Sequence, residues 1–273
     1  MNLEKLQCQN CHRLIEANYC SQCGQKSSQP RLTIKVLADI ALQSVADLDR
    51  GFLHTCRELL IRPHILIQNY LAGRRIIYTN PIKFLLIWLG VNALLSFSVL
   101  NLDEVMKGFL QKQISGNIQL PKTLKNPAVL ETYTQNSIDA TLFFMHNQQL
   151  IYVILLPLSA LFLYLFFRKQ QYYFTEHLTV VTYSYGLYHI VALPLLFIYV
   201  TFPEQLQMMS LVASFLMCIF LAYISAKVYA LQAPFWKCFA KAFVAQSLCY
   251  IVYFITVGVG VNAYAIYTVM KLK

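Results

Sequence analysis

Four cysteines stand close together near the start of the chain. Cys8, Cys11, Cys20 and Cys23 form the pattern C-x2-C-x8-C-x2-C, with Gly24 directly after the last. Two CxxC knuckles let four thiolates converge on one ion at tetrahedral geometry, and Zn²⁺ suits four sulfurs at about 2.3 Å each. Gly24 fits a turn position that needs positive φ. The spacer is shorter than the ~15–20 residues usual between knuckles, so the expectation is a minimal zinc ribbon. Four thiolates leave no open coordination position, which makes the metal structural rather than catalytic. Disulfides are disfavoured by the reducing compartment expected below. Iron–sulfur clusters use other spacings. His12 follows Cys11 and is expected on the surface. Cys56, Cys218, Cys238 and Cys249 are scattered and read as small apolar packing residues.

Other side chains could also do chemistry. His189 is an ionisable residue in the middle of an uncharged stretch, and Thr182 and Tyr185 precede it by seven and four residues on one helical face. Together they could line a polar intramembrane site, with Asn92 and Asn262 as further candidates, or simply hydrogen-bond between helices. Pro194 should kink the helix just beyond. Glu176–His177 could do acid–base work on a lipid head group or form an interfacial pair. Arg74, Arg75, Tyr78 and Lys83 read as a lipid or partner interface, or as an ordinary basic and aromatic border. Asp47, Asp49, His54 and Glu58 resemble metal ligands, but Gly51 separates the acids from His54, and Arg50, Arg57 and Arg62 are near enough to neutralise them.

The elements that must hold these residues are apolar. Of 273 residues 58% are apolar and only 12% charged, about half the share usual in a soluble domain. No Asp, Glu, Lys or Arg occurs in 84–102, 150–167, 178–203, 205–226 or 242–270. Each window is long enough to cross a ~30 Å hydrocarbon core as a helix. The runs are continuous rather than alternating, which argues against barrel strands. The expected fold is therefore an all-α integral membrane protein. Its parts are a zinc ribbon (1–27), cytoplasmic amphipathic or interfacial helices (28–81) and a transmembrane domain (82–273). About five spans are expected, near 82–102, 150–167, 178–202, 206–228 and 242–270, with 103–149 as an outward loop.

Orientation follows the basic residues. Residues 1–83 and the loops 168–177 and 227–241 hold 16 Lys and Arg, against 6 on the alternate side, so the N-terminus should be cytoplasmic. No cleavable signal is expected, since the first 30 residues lack an apolar core. The net charge of +10 then reflects orientation and anionic lipid. Six acids dilute the basic residues of 1–83, so nucleic acid is not an expected partner.

Between ribbon and first span, Leu32–Leu48, Phe52–Ile61 and Ile65–Leu71 read as short amphipathic pieces, broken by Gly51, Pro63 and Gly73. The strings YCSQCGQK (Tyr19–Lys26), DLDRGFLHT (Asp47–Thr55) and RPHILIQNYLAGRRIIYTNP (Arg62–Pro81) follow in order. With the juxtamembrane signature Tyr70, Gly73, Arg74, Tyr78 and Pro81, the chain resembles a bacterial family catalogued only as a domain of unknown function. Its members are inner-membrane proteins bearing zinc ribbons. The resemblance covers roughly residues 8–100. It implies a multi-pass inner-membrane location and supplies no activity.

No GxSxG, HExxH or Walker motif is present. The expected function is a non-catalytic scaffold or adaptor with one structural Zn²⁺, contacting membrane lipids and a protein partner or further copies of itself. A small-solute permease centred on His189 and a lipid-modifying enzyme are the alternatives.

Overall fold

The computed structural model describes residues 6–15, 18–27, 33, 51–96, 104–105, 107–108, 110–111, 127–202, 205–231 and 233–270. The amphipathic piece expected at 32–48 lies outside these, apart from Thr33, as do Asp47, Asp49 and Arg50.

The ribbon consists of two small hairpins. In the first, β1 (Leu6–Gln7) pairs antiparallel with β2 (Leu14–Ile15), placing Leu6 opposite Ile15. In the second, a single bridge joins Tyr19 to Lys26. One CxxC knuckle sits at the tip of each.

The neck begins with α1 (Gly51–Ile61) and α2 (Pro63–Leu71). Pro63 occupies the first turn of α2, where its missing N–H costs nothing. Leu66, Ile67 and Tyr70 recur at helical spacing and form its buried stripe. The helix ends in a Schellman motif: Gly73 N–H donates to Tyr70 O at 3.1 Å and Arg74 N–H to Asn69 O at 3.0 Å. Gly73 has a φ of +98° there, which only glycine adopts without strain. Next comes α3 (Pro81–Leu94), with Pro81 at its first position. Asn80 caps it, its Oδ1 accepting from Ile82 N–H at 2.9 Å.

The remaining helices are α4 (Pro127–His146), α5 (Gln148–Phe166), α6 (Phe174–Val191), α7 (Leu193–Thr201), α8 (Leu206–Tyr229) and α9 (Phe235–Met270). Pro157 lies inside α5 without ending it. Near Pro194 the chain breaks between α6 and α7, since proline removes a donor and crowds the preceding turn. Two of these helices are long and apolar enough to cross a membrane, over Met208–Tyr229 and Phe235–Val261. Pro81–Leu94 and Val153–Phe166 are apolar but shorter. Five spans were expected, and the structure carries this coarser statement only.

Residues 127–146, read from sequence as part of a loop, are helical. Glu131, Gln135 and Asp139 recur every four residues, and Gln135 Nε2 donates to Asp139 Oδ1 at 3.0 Å. Polar residues that broke the apolar pattern are thus carried within a helix, Gln135 and Asp139 one turn apart.

The chain forms two compact units. The first comprises Met1–Leu89, Leu156–Val191 and Met217–Gln246. In it α1 and α2 pack on each other and both on α6. The aromatic rings of Phe52, Phe84, Tyr183 and Tyr70 run through this junction, each 5.4–6.1 Å from the next. Tyr183 Oη donates to Thr79 O at 2.6 Å. Thr79 N–H in turn donates to Thr55 Oγ1 at 2.9 Å. The second unit comprises Gly90–Leu155, Ala192–Leu216 and Ser247–Lys273. There Gly260 admits the ring of Phe144, which a Cβ would meet at 2.8 Å.

Candidate metal centre

The two knuckles repeat one backbone pattern. Cys8 N–H donates to Arg13 O, and Cys20 N–H donates to Gln25 O, both at 2.8 Å. His12 N–H returns to Cys8 O at 2.9 Å, and Gly24 N–H returns to Cys20 O at 2.8 Å. The residue after each second cysteine is left-handed, with φ of 61° at His12 and 74° at Gly24. Glycine announces that conformation in the second knuckle. In the first it is hidden under a histidine, a residue that tolerates it better than most.

The four Sγ atoms lie within 4.8 Å of one another. Cys8 and Cys23 are 3.6 Å apart, and Cys11 and Cys20 are 3.5 Å apart. Cys8 and Cys20 are buried, while Cys11 and Cys23 are partly exposed. Backbone N–H groups of Cys23 and Gln22 point at Cys20 and pull its thiol down to about 6. The N–H of Arg13 acts the same way on Cys11, but burial and the neighbouring thiols Cys20, Cys23 and Cys8 push it up to about 12. Four sulfurs this close cannot all ionise unless a cation offsets their charge. The cluster can hold a metal ion. Beyond the cysteines, the ribbon's buried apolar cluster holds, among the described residues, only Ile15, far too little to fold alone.

The ribbon rests on the turn after α2. Gln25, 2% exposed, donates through Nε2 to Gly73 O at 3.0 Å. Arg74 donates through Nε to Gln9 O at 3.1 Å, and its Nη2 lies 3.0 Å from His12 Nε2. Guanidinium offers donors only, so in this contact the His12 ring nitrogen is the acceptor. Gln9 packs where a Cβ on Gly73 would stand, and Ile76 Cδ1 lies 3.6 Å from the corresponding point on Gly24. Gln9 and Gln25 were not singled out by sequence reasoning, and His12 was expected only to lie on the surface, since nothing in residue type or spacing marks a docking contact.

The residues read as a lipid or partner interface have other surroundings in the structure. Arg74 joins ribbon to neck. Arg75 holds its guanidinium 5.7 Å over the Tyr70 ring. Tyr78 is 8% exposed, stacks on His54 with centroids 5.7 Å apart, and accepts from Asn69 Nδ2 at 3.3 Å. Lys83 is buried in the first unit. His54 is thereby a stacking residue.

Thr182, Tyr185 and His189 are all buried on α6. The hydroxyl of Thr182 bonds back to Leu178 O at 2.7 Å within its own helix. Asn92 and Asn262 lie in the second unit. Glu176 accepts through Oε2 from Tyr173 N–H at 2.8 Å, the return half of a capping box at the start of α6. His177 is fully buried with Nδ1 2.5 Å from Tyr229 Oη.

No curated protein and no solved structure matches the chain. A family model described as a protein of unknown function (DUF3667) matches residues 49–91, the stretch that holds the neck helices α1 and α2, the ribbon-bearing turn and most of α3.

Proposed function

We propose that this chain is a non-catalytic membrane scaffold or adaptor whose cytoplasmic zinc ribbon is held in a fixed pose by the neck. The observation that carries this reading is the clamp at Gly73 and Arg74. It engages one side of the ribbon and leaves Leu14 and Tyr19 outward, at 47% and 61% exposure. Large exposed side chains on a rigid knob suit a protein partner or a second copy of the chain.

Zinc is the metal of this reading. Tetrahedral bonds of 2.3 Å place sulfurs about 3.8 Å apart, close to the 3.5 and 3.6 Å found between paired thiols.

A multi-pass inner-membrane setting is supported by the lipid-like face of the long helices. Only 22% of the most apolar window of α9 is buried, whereas the core helix of a soluble protein is mostly covered. Helices occupy described parts of all five uncharged windows, over residues 84–94 in the first, and this supports five spans with the basic N-terminal region inside.

The alternatives have less behind them. A permease centred on His189 would need hydroxyls offered to a path, and that of Thr182 is turned back to its own helix. A lipid-modifying enzyme at Glu176–His177 would need an accessible imidazole, and His177 is fully buried against Tyr229.

The test is a photo-crosslinking residue placed at Tyr19 in cells. A discrete adduct that disappears with Cys20→Ser is the expected outcome. Absence of any adduct at Tyr19 and Leu14 would remove the adaptor.

A further inference from the structure

The residues read from sequence as a lipid interface are engaged within the fold. Arg74 holds the ribbon, Tyr78 stacks on His54 and Lys83 is buried. A different surface carries basic and apolar side chains that the fold leaves outward. On α1, Leu53, Leu60 and Ile61 are 77%, 53% and 58% exposed. Arg57 stands among them and is exposed as well. Arg57, Leu60 and Ile61 follow Leu53 by four, seven and eight residues, which puts all four on one face of the helix. The opposite face belongs to the fold: Thr55 and Leu59 are buried, and α1 packs on α2 and α6. Arg62 follows in the link to α2 and is exposed too. Glu58 is the single acid of α1, and as the next residue after Arg57 it points along a different row. Neither guanidinium forms an ion pair with a described residue.

The height of this face along the first span is set by aromatic contacts. The Phe52 ring, at the start of α1, lies 5.8 Å from that of Phe84 and 6.2 Å from that of Trp88. Both partners stand in the opening turns of the apolar α3, where the first uncharged window begins. We propose that the outward face of α1 docks on the anionic surface of the membrane. Leu53, Leu60 and Ile61 enter the upper acyl region, and Arg57 and Arg62 reach head-group phosphates. The proposal rests on the membrane setting given above. An interfacial helix sinks its apolar face about 5–10 Å into the boundary of head groups and chains, while long arginine stems carry their charge back to the phosphates. An anionic bilayer offers apolar contact and negative charge together along the whole stripe. A protein partner would have to place a carboxylate opposite Arg57, inside an apolar strip, and another opposite Arg62 at its end.

The experiment uses the full chain in nanodiscs of mixed phosphatidylcholine and phosphatidylglycerol. A benzophenone side chain replaces Leu53 or, as a reference, Ile255, which is 59% exposed within the apolar window of α9. Mass spectrometry identifies which lipid each position captures. Lipid adducts are expected at both. At Leu53 phosphatidylglycerol should exceed its share of the disc about fivefold, and at Ile255 it should match that share. Arg57→Gln combined with Arg62→Gln should return Leu53 to the bulk ratio, whereas lysine at both positions should keep most of the enrichment. Should the glutamine variant not fold, high salt applied to the chain with native arginines should erase the enrichment in the same way. Lipid captured at Ile255 but not at Leu53 would overturn the inference and leave the membrane setting intact, as would a protein adduct at Leu53 or capture there at the bulk lipid ratio. Absence of lipid at Ile255 as well would overturn the membrane setting and this inference with it.

Discussion

Arg74 Nη2 lies 3.0 Å from His12 Nε2, although 62 residues of chain separate them. The same guanidinium reaches Gln9 O with its Nε. Two donors in a fixed plane thus meet two acceptors on the first hairpin, a geometry that lysine cannot copy. Both bonds are exposed, so their loss should cost about 1 kcal/mol of docking. Arg74→Ala and Arg74→Lys are both expected to speed hydrogen exchange at residues 9–26 several-fold. The helical circular dichroism should stay unchanged. Wild-type exchange in the Lys variant would show that the bidentate fit is unimportant.

Metal removal is expected to unfold the ribbon alone, because its buried cluster is sulfur plus Ile15. Chelation should free four thiols at the N-terminus while far-ultraviolet dichroism loses little. Any loss of helix in step with chelation would mean that the neck needs the ribbon to fold.

Metal binding must displace whatever protons the thiols hold. Cys20, pulled to about 6, is already ionised at neutral pH and contributes no proton there. Cys11, near 12, contributes one at any practical pH. The number of protons released should rise as pH falls through 6, and affinity should then drop more steeply with acidity. Calorimetry in buffers of different ionisation enthalpy counts these protons. A release independent of pH across that range would contradict the assignment of Cys20.

Gly186 and Gly90 make a matched pair. A Cβ on Gly186 would come within 2.6 Å of the Phe84 ring, which Phe52 and Tyr183 pin from other sides. Gly186→Ala should lower stability by about 1–3 kcal/mol through overpacking. A Cβ on Gly90 meets nothing within 4 Å, so Gly90→Ala should gain about 0.5–1 kcal/mol through helix propensity. Thermal unfolding in detergent reads both, and the sign difference is the check.

Asn80 caps α3 through Oδ1. Asn80→Ala should cost about 1 kcal/mol, and Asn80→Asp, which keeps the oxygen, much less. Equal losses in Tm would assign the residue's importance to its buried Nδ2 instead.

Much of the neck and ribbon was legible in the residues. Cys8, Cys11, Cys20 and Cys23 converge because CxxC spacing allows little else. Gly24 takes the positive φ expected of it, and α2 keeps the bounds set by Pro63 and Gly73. The juxtamembrane signature also has a local explanation. Tyr70 packs on Tyr183, Gly73 closes a Schellman motif, Arg74 holds the ribbon, Tyr78 stacks on His54, and Pro81 starts a helix. What could not be read depends on tertiary placement. Arg74 and Tyr78 look like any basic and aromatic border until the ribbon and His54 are set beside them. The helix at 127–146 was hidden because its polar residues are spread along it and interrupt the apolar pattern.

Gln68 and Gln170 close the end of α8, taking the last carbonyls of Lys227, Val228 and Tyr229. Gln68 belongs to α2, whose closing turn carries Gly73 and Arg74, and these in turn hold Gln25, Gln9 and His12. The apolar helix, the neck and the cysteine cluster are therefore coupled in series, like a lever on a short crank. A twist or slide of α8 about its axis pulls first on one glutamine and only then on the ribbon, so that joint is where any such motion would be passed on or absorbed.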